Sequence, residues 1–221
     1  MTDNRISAST VRSLSCASQR LQTARKRSLS ALDVTDTEWE YAGRSWSWPG
    51  GEELTYFQEL APGEQTVVDE LVSQDGFDLL GVGTGRVTVS LPEAVAGVPA
   101  VAKLARYGPS AEMGAGRPQN RREAEIWGRV GEHPFLPVFD ANPDNNWVVM
   151  PEADVLSEGA LEADTAIGAV RTALKPYQSV FHFDELKAEN VGDYDDAYWI
   201  VDYGRPPGEE LFVTTPGSDR S

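Results

Sequence analysis

A chain of 221 residues, 40% of them hydrophobic, can build one substantial core or two small lobes and is too short for a large multidomain enzyme. Its 35 Asp and Glu against 19 Lys and Arg leave a formal charge of −16, a field that repels phosphate backbones and anionic lipid, so neither nucleic acid nor a membrane is expected as a partner. The single cysteine, Cys16, excludes an internal disulfide framework and any multi-cysteine zinc site and fits a reducing interior.

Only four lysines occur, Lys26, Lys103, Lys175 and Lys187, and arginine carries the rest of the positive charge. An acid-rich, lysine-poor surface stays hydrated and soluble where high salt screens self-repulsion, which points to a salt-adapted, haloarchaeal-type cytoplasm; an ordinary acidic protein is the alternative. No stretch approaches the roughly 18 consecutive apolar residues of a membrane span, and the N-terminus lacks the apolar core of a secretory signal.

In chain order, residues 1–32 carry six basic side chains and seven serines against the single acid Asp3, which leaves about −21 on the remainder. With few large apolar residues this Ser/Arg segment is expected to be a disordered tail extending to about residue 38. A transit-peptide origin or a start codon placed too far upstream would give the same composition. Trp46 and Trp48 alternate ahead of Pro49-Gly50-Gly51, the pattern of a short strand or packing collar, and no chemistry is assigned to it. Val67, Val68 and Leu71 have helical spacing within Glu64 to Val72.

Phe77-Asp78-Leu79-Leu80 leads into Gly81-Val82-Gly83-Thr84-Gly85-Arg86, and the alternating Val87-Thr88-Val89-Ser90-Leu91 follows. Both the dinucleotide fingerprint and the P-loop require a helix after the glycines, so strand, glycines, strand is instead a hairpin whose tip lacks side chains and can lie over a polyphosphate. An ordinary glycine-rich hairpin shares the pattern. Next, Val98-Pro99-Ala100-Val101-Ala102-Lys103-Leu104 is an apolar strand with a lysine near its centre, costly unless paired, or else an edge lysine reaching water. In the helix predicted from Gln119 to Val130, Glu123 shares a face with Ile126, Trp127 and Val130, which makes it the natural partner of Lys103, or else one member of a solvated charge run.

This order of elements resembles the protein-kinase-like fold: a glycine hairpin, Val101-Ala102-Lys103, a helix Glu, and then His133-Pro134-Phe135-Leu136-Pro137-Val138. Asn146-Trp147-Val148-Val149-Met150-Pro151-Glu152 looks like the fifth strand entering a hinge; Phe181-His182-Phe183-Asp184-Glu185-Leu186-Lys187-Ala188-Glu189-Asn190 resembles the catalytic loop; and Tyr198-Trp199-Ile200-Val201-Asp202-Tyr203-Gly204 looks like the strand that delivers a metal-binding Asp. The resemblance spans residues 77–204. It implies an α+β, kinase-like fold with a five-stranded antiparallel N-lobe sheet and one helix over residues 39–152, the first part an N-terminal extension. A reduced helical C-lobe would occupy residues 153–221, with a helix from roughly Asp164 to Val180.

The resemblance further implies ATP and Mg2+ as cofactors of a phosphotransferase acting on a small molecule or on itself. Gly81, Gly83, Gly85, Lys103, Glu123 and the hinge residue Glu152 would bind the nucleotide, Asn190 and Asp202 would ligate the metal, and Lys187 would contact the transferring phosphate. Three departures stand out. Arg86 occupies the place of the third glycine, which would loosen phosphate coverage. One residue too many in the catalytic loop leaves Asp184 or Glu185 as the base, or no competent base at all. Only 17 residues follow Gly204, too few for the platform on which protein kinases dock peptides. A nucleotide-binding or interaction module without phosphoryl transfer is therefore the alternative, with a protein partner supplying or replacing that platform.

Overall fold

The computed structural model describes residues 6–31, 36–41, 44–49, 59–108, 115–157, 159–177 and 186–204. They form an α+β structure with four α-helices and an antiparallel five-stranded sheet. Among them, no helix is long and apolar enough to cross a membrane.

The N-terminal segment corrects the expectation of disorder, because Ala8–Ala31 is a continuous helix, α1. Its apolar residues are few but correctly spaced: Leu14, Ala17 and Leu21 form one buried stripe, with Val11 packed at its edge. Small residues on that stripe let the helix lie close to the sheet. The Ser18 hydroxyl is fully buried and lies 2.7 Å from the Asn146 carbonyl and 3.1 Å from that of Ala105. After the ribbon β1 (Asp36–Tyr41) and β2 (Arg44–Pro49), which pairs Trp39 with Trp46, α2 runs from Pro62 to Asp75. Pro62 suits a first helical turn, Glu64 accepts the Ala61 amide at 3.0 Å, and Gly76 at φ 75° ends the helix in the left-handed conformation.

The sheet is built from β3 (Asp78–Val82), β4 (Arg86–Ser90), β5 (Ala100–Ala105), β6 (Asp140–Ala141) and β7 (Trp147–Pro151), in the order β3-β4-β5-β7-β6. Both faces are covered, which explains why β5 and β7 are buried at every residue. Val87, Val89, Ala102 and Leu104 face α1 and α2. The opposite face carries Val101 and Met150, which share a core with Ile126 of α3 (Gly116–Val130) and with elements after residue 153.

Those later elements are a three-stranded sheet, β8 (Asp154–Val155), β9 (Val191–Tyr194) and β10 (Ala197–Ile200), and the helix α4 (Ala163–Ala173). Here α4 is shorter than expected. It gives way at Leu174 to a 3-10 turn, Lys175–Tyr177, because Pro176 has no amide to continue the helical ladder; residues 178–180 of the expected helix lie outside the described residues. Backbone bonds from Leu136 to the Ile200 carbonyl (3.1 Å) and from Ile200 to the Pro134 carbonyl (2.7 Å) join β10 to the segment after α3. Residues 201–204, which follow β10, are thereby delivered beneath the sheet, within reach of Lys103 and Glu123.

Candidate functional site

A cluster of four charged side chains sits where the inner face of the sheet meets the end of β10. Strand register places Lys103 opposite Thr88 on β4 and Val148 on β7, so its side chain leaves the centre of the sheet toward α3. Its Nζ meets Glu123 Oε1 at 2.8 Å and also donates to the Val201 carbonyl. Glu123 is completely buried, as its shared helix face with Ile126 requires, and the same oxygen accepts the Tyr203 amide at 3.2 Å. One turn earlier, Asn120 donates to the Lys103 carbonyl (3.2 Å) and the Asn145 carbonyl (3.1 Å), fixing α3 against β5.

Arg86 completes the cluster. It is the first residue of β4 and lies two residues from Thr88 on the same face of the sheet as Lys103. NH1 lies 2.7 Å from Glu123 Oε2, and NH2 lies 2.6 Å from Asp202 Oδ1. Arg86 is 5% exposed, whereas the Asp202 side chain is 40% exposed. Burial alone would raise the Asp202 pKa, but Arg86 first and then Lys103 outweigh it and push the carboxyl down to about 2. Burial lowers the Lys103 pKa despite Glu123, and burial followed by Glu123 raises that of the Tyr203 phenol.

Two glycines permit this assembly. A Cβ on Gly204 would stand 2.5 Å from the Gln119 carbonyl oxygen, so only glycine lets the chain after Asp202 approach α3. A Cβ on Gly116 would stand 2.1 Å from the Gly85 carbonyl oxygen, so glycine is also required where α3 begins beneath the hairpin tip.

The glycine hairpin forms as the sequence suggests, with a bulge between Leu79 and Gly81. Its tip is tied down on the protein side: Gly83 O accepts from Arg106 NH1 at 2.6 Å and Gly85 O from the Arg106 amide at 2.8 Å. Arg106 also grips Glu64 of α2 at 2.8 and 2.6 Å, and Arg25 of α1 lies 3.5 Å from the same carboxylate. The two N-terminal helices are thus linked to the hairpin tip through a buried ion network.

The remaining expected residues fare differently. Asn190 is adjacent in structure, since its carbonyl accepts the Val201 amide at 2.9 Å, while its side-chain oxygen receives the Lys187 amide at 3.4 Å. Lys187 is a surface residue 4.0 Å from Glu189, a pairing worth little. Glu152 has an exposed side chain, and its amide is already donated to the Pro99 carbonyl at 2.9 Å, so that N–H does not face a ligand here. Asp184 and Glu185 lie outside the described residues. Sequence reasoning treated Arg86 only as a missing glycine and overlooked Arg106 and Glu64. Alternation along β4 could have placed Arg86 on the lysine face; Arg106 and Glu64 carry no comparable signal. Compared with protein-family models and with curated proteins, the chain matches none.

Proposed function

We propose that this chain is a protein-kinase-like, ATP- and magnesium-binding phosphotransferase acting on a small molecule or on itself. The observation that carries this reading is the buried pair of Lys103 and Glu123 at 2.8 Å, formed beside the Asp202 carboxylate at the end of a strand. Phosphoryl transfer asks a protein mainly to position phosphates and to neutralise their charge. Lys103, oriented by Glu123, offers a cation to the phosphates. The order of the sheet and the position of α3 between β5 and β6 support the resemblance in the sequence.

The donor chemistry fits a hard cation: Asp202 offers a partly exposed carboxylate and Asn190 an amide oxygen from the neighbouring turn. Among the described residues no three acidic, His or Cys side chains converge, so these two donors suit an ion that arrives with phosphate ligands. Magnesium, when bound there, would neutralise the charge of the transferring group.

A second reading is a nucleotide-binding or protein-interaction module without transfer. It is favoured by Arg86, which already neutralises the carboxylate that a metal would use. The test is incubation with Mg·ATP in molar KCl, followed by mass spectrometry of the protein, assay of released phosphate and a panel of small acceptors. Transfer that Asp202→Asn abolishes supports the first reading. Nucleotide binding without transfer to any acceptor moves the conclusion to the second, and absence of binding removes both. If transfer occurs, Asp184→Asn against Glu185→Gln identifies the base, because the base contacts the acceptor and leaves nucleotide binding nearly intact.

A further inference from the structure

We propose that Arg86 is a displaceable counter-ion that closes this site in the absence of ligand and turns to the phosphates of a bound nucleotide. The inference rests on the nucleotide reading above. Lys103 and Arg86 balance Glu123 and Asp202, so the cluster of four side chains is neutral and gives a divalent cation no net attraction of its own. A cation at Asp202 competes directly with the guanidinium that now lies 2.6 Å from Oδ1.

Three observations make Arg86 the movable member. First, its contact with Glu123 is close but poorly aligned: Arg86 NH1 and Glu123 Oε2 lie 2.7 Å apart, yet both are buried atoms without a hydrogen-bond partner of acceptable geometry. Its one well-formed side-chain bond is to Asp202, on the side where exposure reaches 40%. Second, the backbone around it is fixed, because Arg86 O accepts the Gly83 amide at 2.8 Å and Arg106 holds the Gly83 and Gly85 carbonyls. The guanidinium therefore changes partner by rotating its side chain. Third, a planar guanidinium offers several donors in a fork that matches phosphate oxygens as well as carboxylate. A metal alone would strand the guanidinium beside a cation, whereas metal and polyphosphate together give both Asp202 and Arg86 a partner. Binding of the two is consequently interdependent.

The test is calorimetric titration of the full chain at constant molar KCl with MgCl2 alone and with Mg·ATP, using wild type, Arg86→Gln and Lys103→Ala. Arg86→Gln leaves the cluster with one net negative charge, so Mg2+ alone should bind at least about tenfold more tightly than to wild type. In wild type, Mg·ATP should shift the Arg86 Nε–H resonance, a readout that stands even where a variant fails to fold. Two results overturn the inference while leaving the nucleotide reading intact: Lys103-dependent binding of Mg·ATP with no gain in Mg2+ affinity in Arg86→Gln, or the same binding with an unmoved Arg86 resonance. If wild type and every variant ignore Mg·ATP, the nucleotide reading fails, and the inference fails with it.

Discussion

Replacing Glu123 by Gln keeps the volume of the side chain and removes its charge, which makes it the most informative perturbation of the cluster. Glu123 is fully buried, lies 2.8 Å from Lys103 Nζ and 2.7 Å from Arg86 NH1, and accepts the Tyr203 amide at 3.2 Å. The substitution leaves two buried cations facing one another, with Asp202 alone to balance them. Removing one partner of a buried ion pair costs about 3–5 kcal/mol. At about 2–4 °C per kcal/mol for a chain of this size, the melting temperature should fall by roughly 6–20 °C. The assay is thermal unfolding followed by circular dichroism in fixed molar KCl. Lys103→Met should cost a comparable amount, and the double variant should be milder than the sum of the singles by at least about 1 kcal/mol, because the second change removes the charge stranded by the first. A loss under about 1 kcal/mol for Glu123→Gln, or additivity in the double variant, would refute the buried pairing.

Stability should fall as KCl is lowered, because a net charge of −16 repels itself when the screening length grows from about 3 Å at 1 M to about 10 Å at 0.1 M; a melting temperature independent of KCl would end the salt-adapted reading. Glu93 anchors the start of α1 by accepting from Thr10 Oγ1 at 2.6 Å and the Ser7 amide at 2.9 Å, bonds that lower its pKa in that order. Because the folded value is the lower one, this contribution is present above the ordinary glutamate pKa of about 4.3 and is lost as pH falls through the folded value. Glu93→Gln should therefore flatten the acid limb of the stability curve, and an unchanged limb would contradict the anchor. Gly116→Ala should destabilise by about 1–3 kcal/mol because backbone blocks the new methyl. On the same helix Gly128→Ala meets nothing within 4 Å and should stabilise by about 0.5–1 kcal/mol, so equal effects of the two would argue against the close packing of α3 on the hairpin.

The parts of the fold legible in the sequence are those where local pattern and tertiary packing agree. Val87 and Val89 alternate on β4, Glu123 lies one turn from Ile126, and Lys103 interrupts an otherwise apolar strand. Each pattern states which face is buried, and packing enforces it. Helix α1 is not legible in composition: the stripe of Leu14, Ala17 and Leu21 is too poor in large side chains to stand out, and only the sheet face it covers makes burying it favourable. Arg86 was visible as an anomaly, but its role depends on cross-strand register, which fixes it beside Lys103. The network of Arg25, Glu64 and Arg106 joins residues far apart in sequence through buried charges, and no local rule marks them.

Nucleotide binding at the Lys103 cluster is tested by a calorimetric titration of Mg·ATP into the full chain in molar KCl, comparing wild type with Lys103→Ala and Lys175→Ala. Lys175 is an exposed residue of the 3-10 turn, remote in sequence from every cluster residue, and serves as the control for lost positive charge. Wild type should bind saturably, Lys103→Ala at least about tenfold more weakly, and Lys175→Ala as tightly as wild type. No binding to wild type, or equal weakening in the two lysine variants, would contradict the assignment of the Lys103, Glu123 and Asp202 cluster as a nucleotide site.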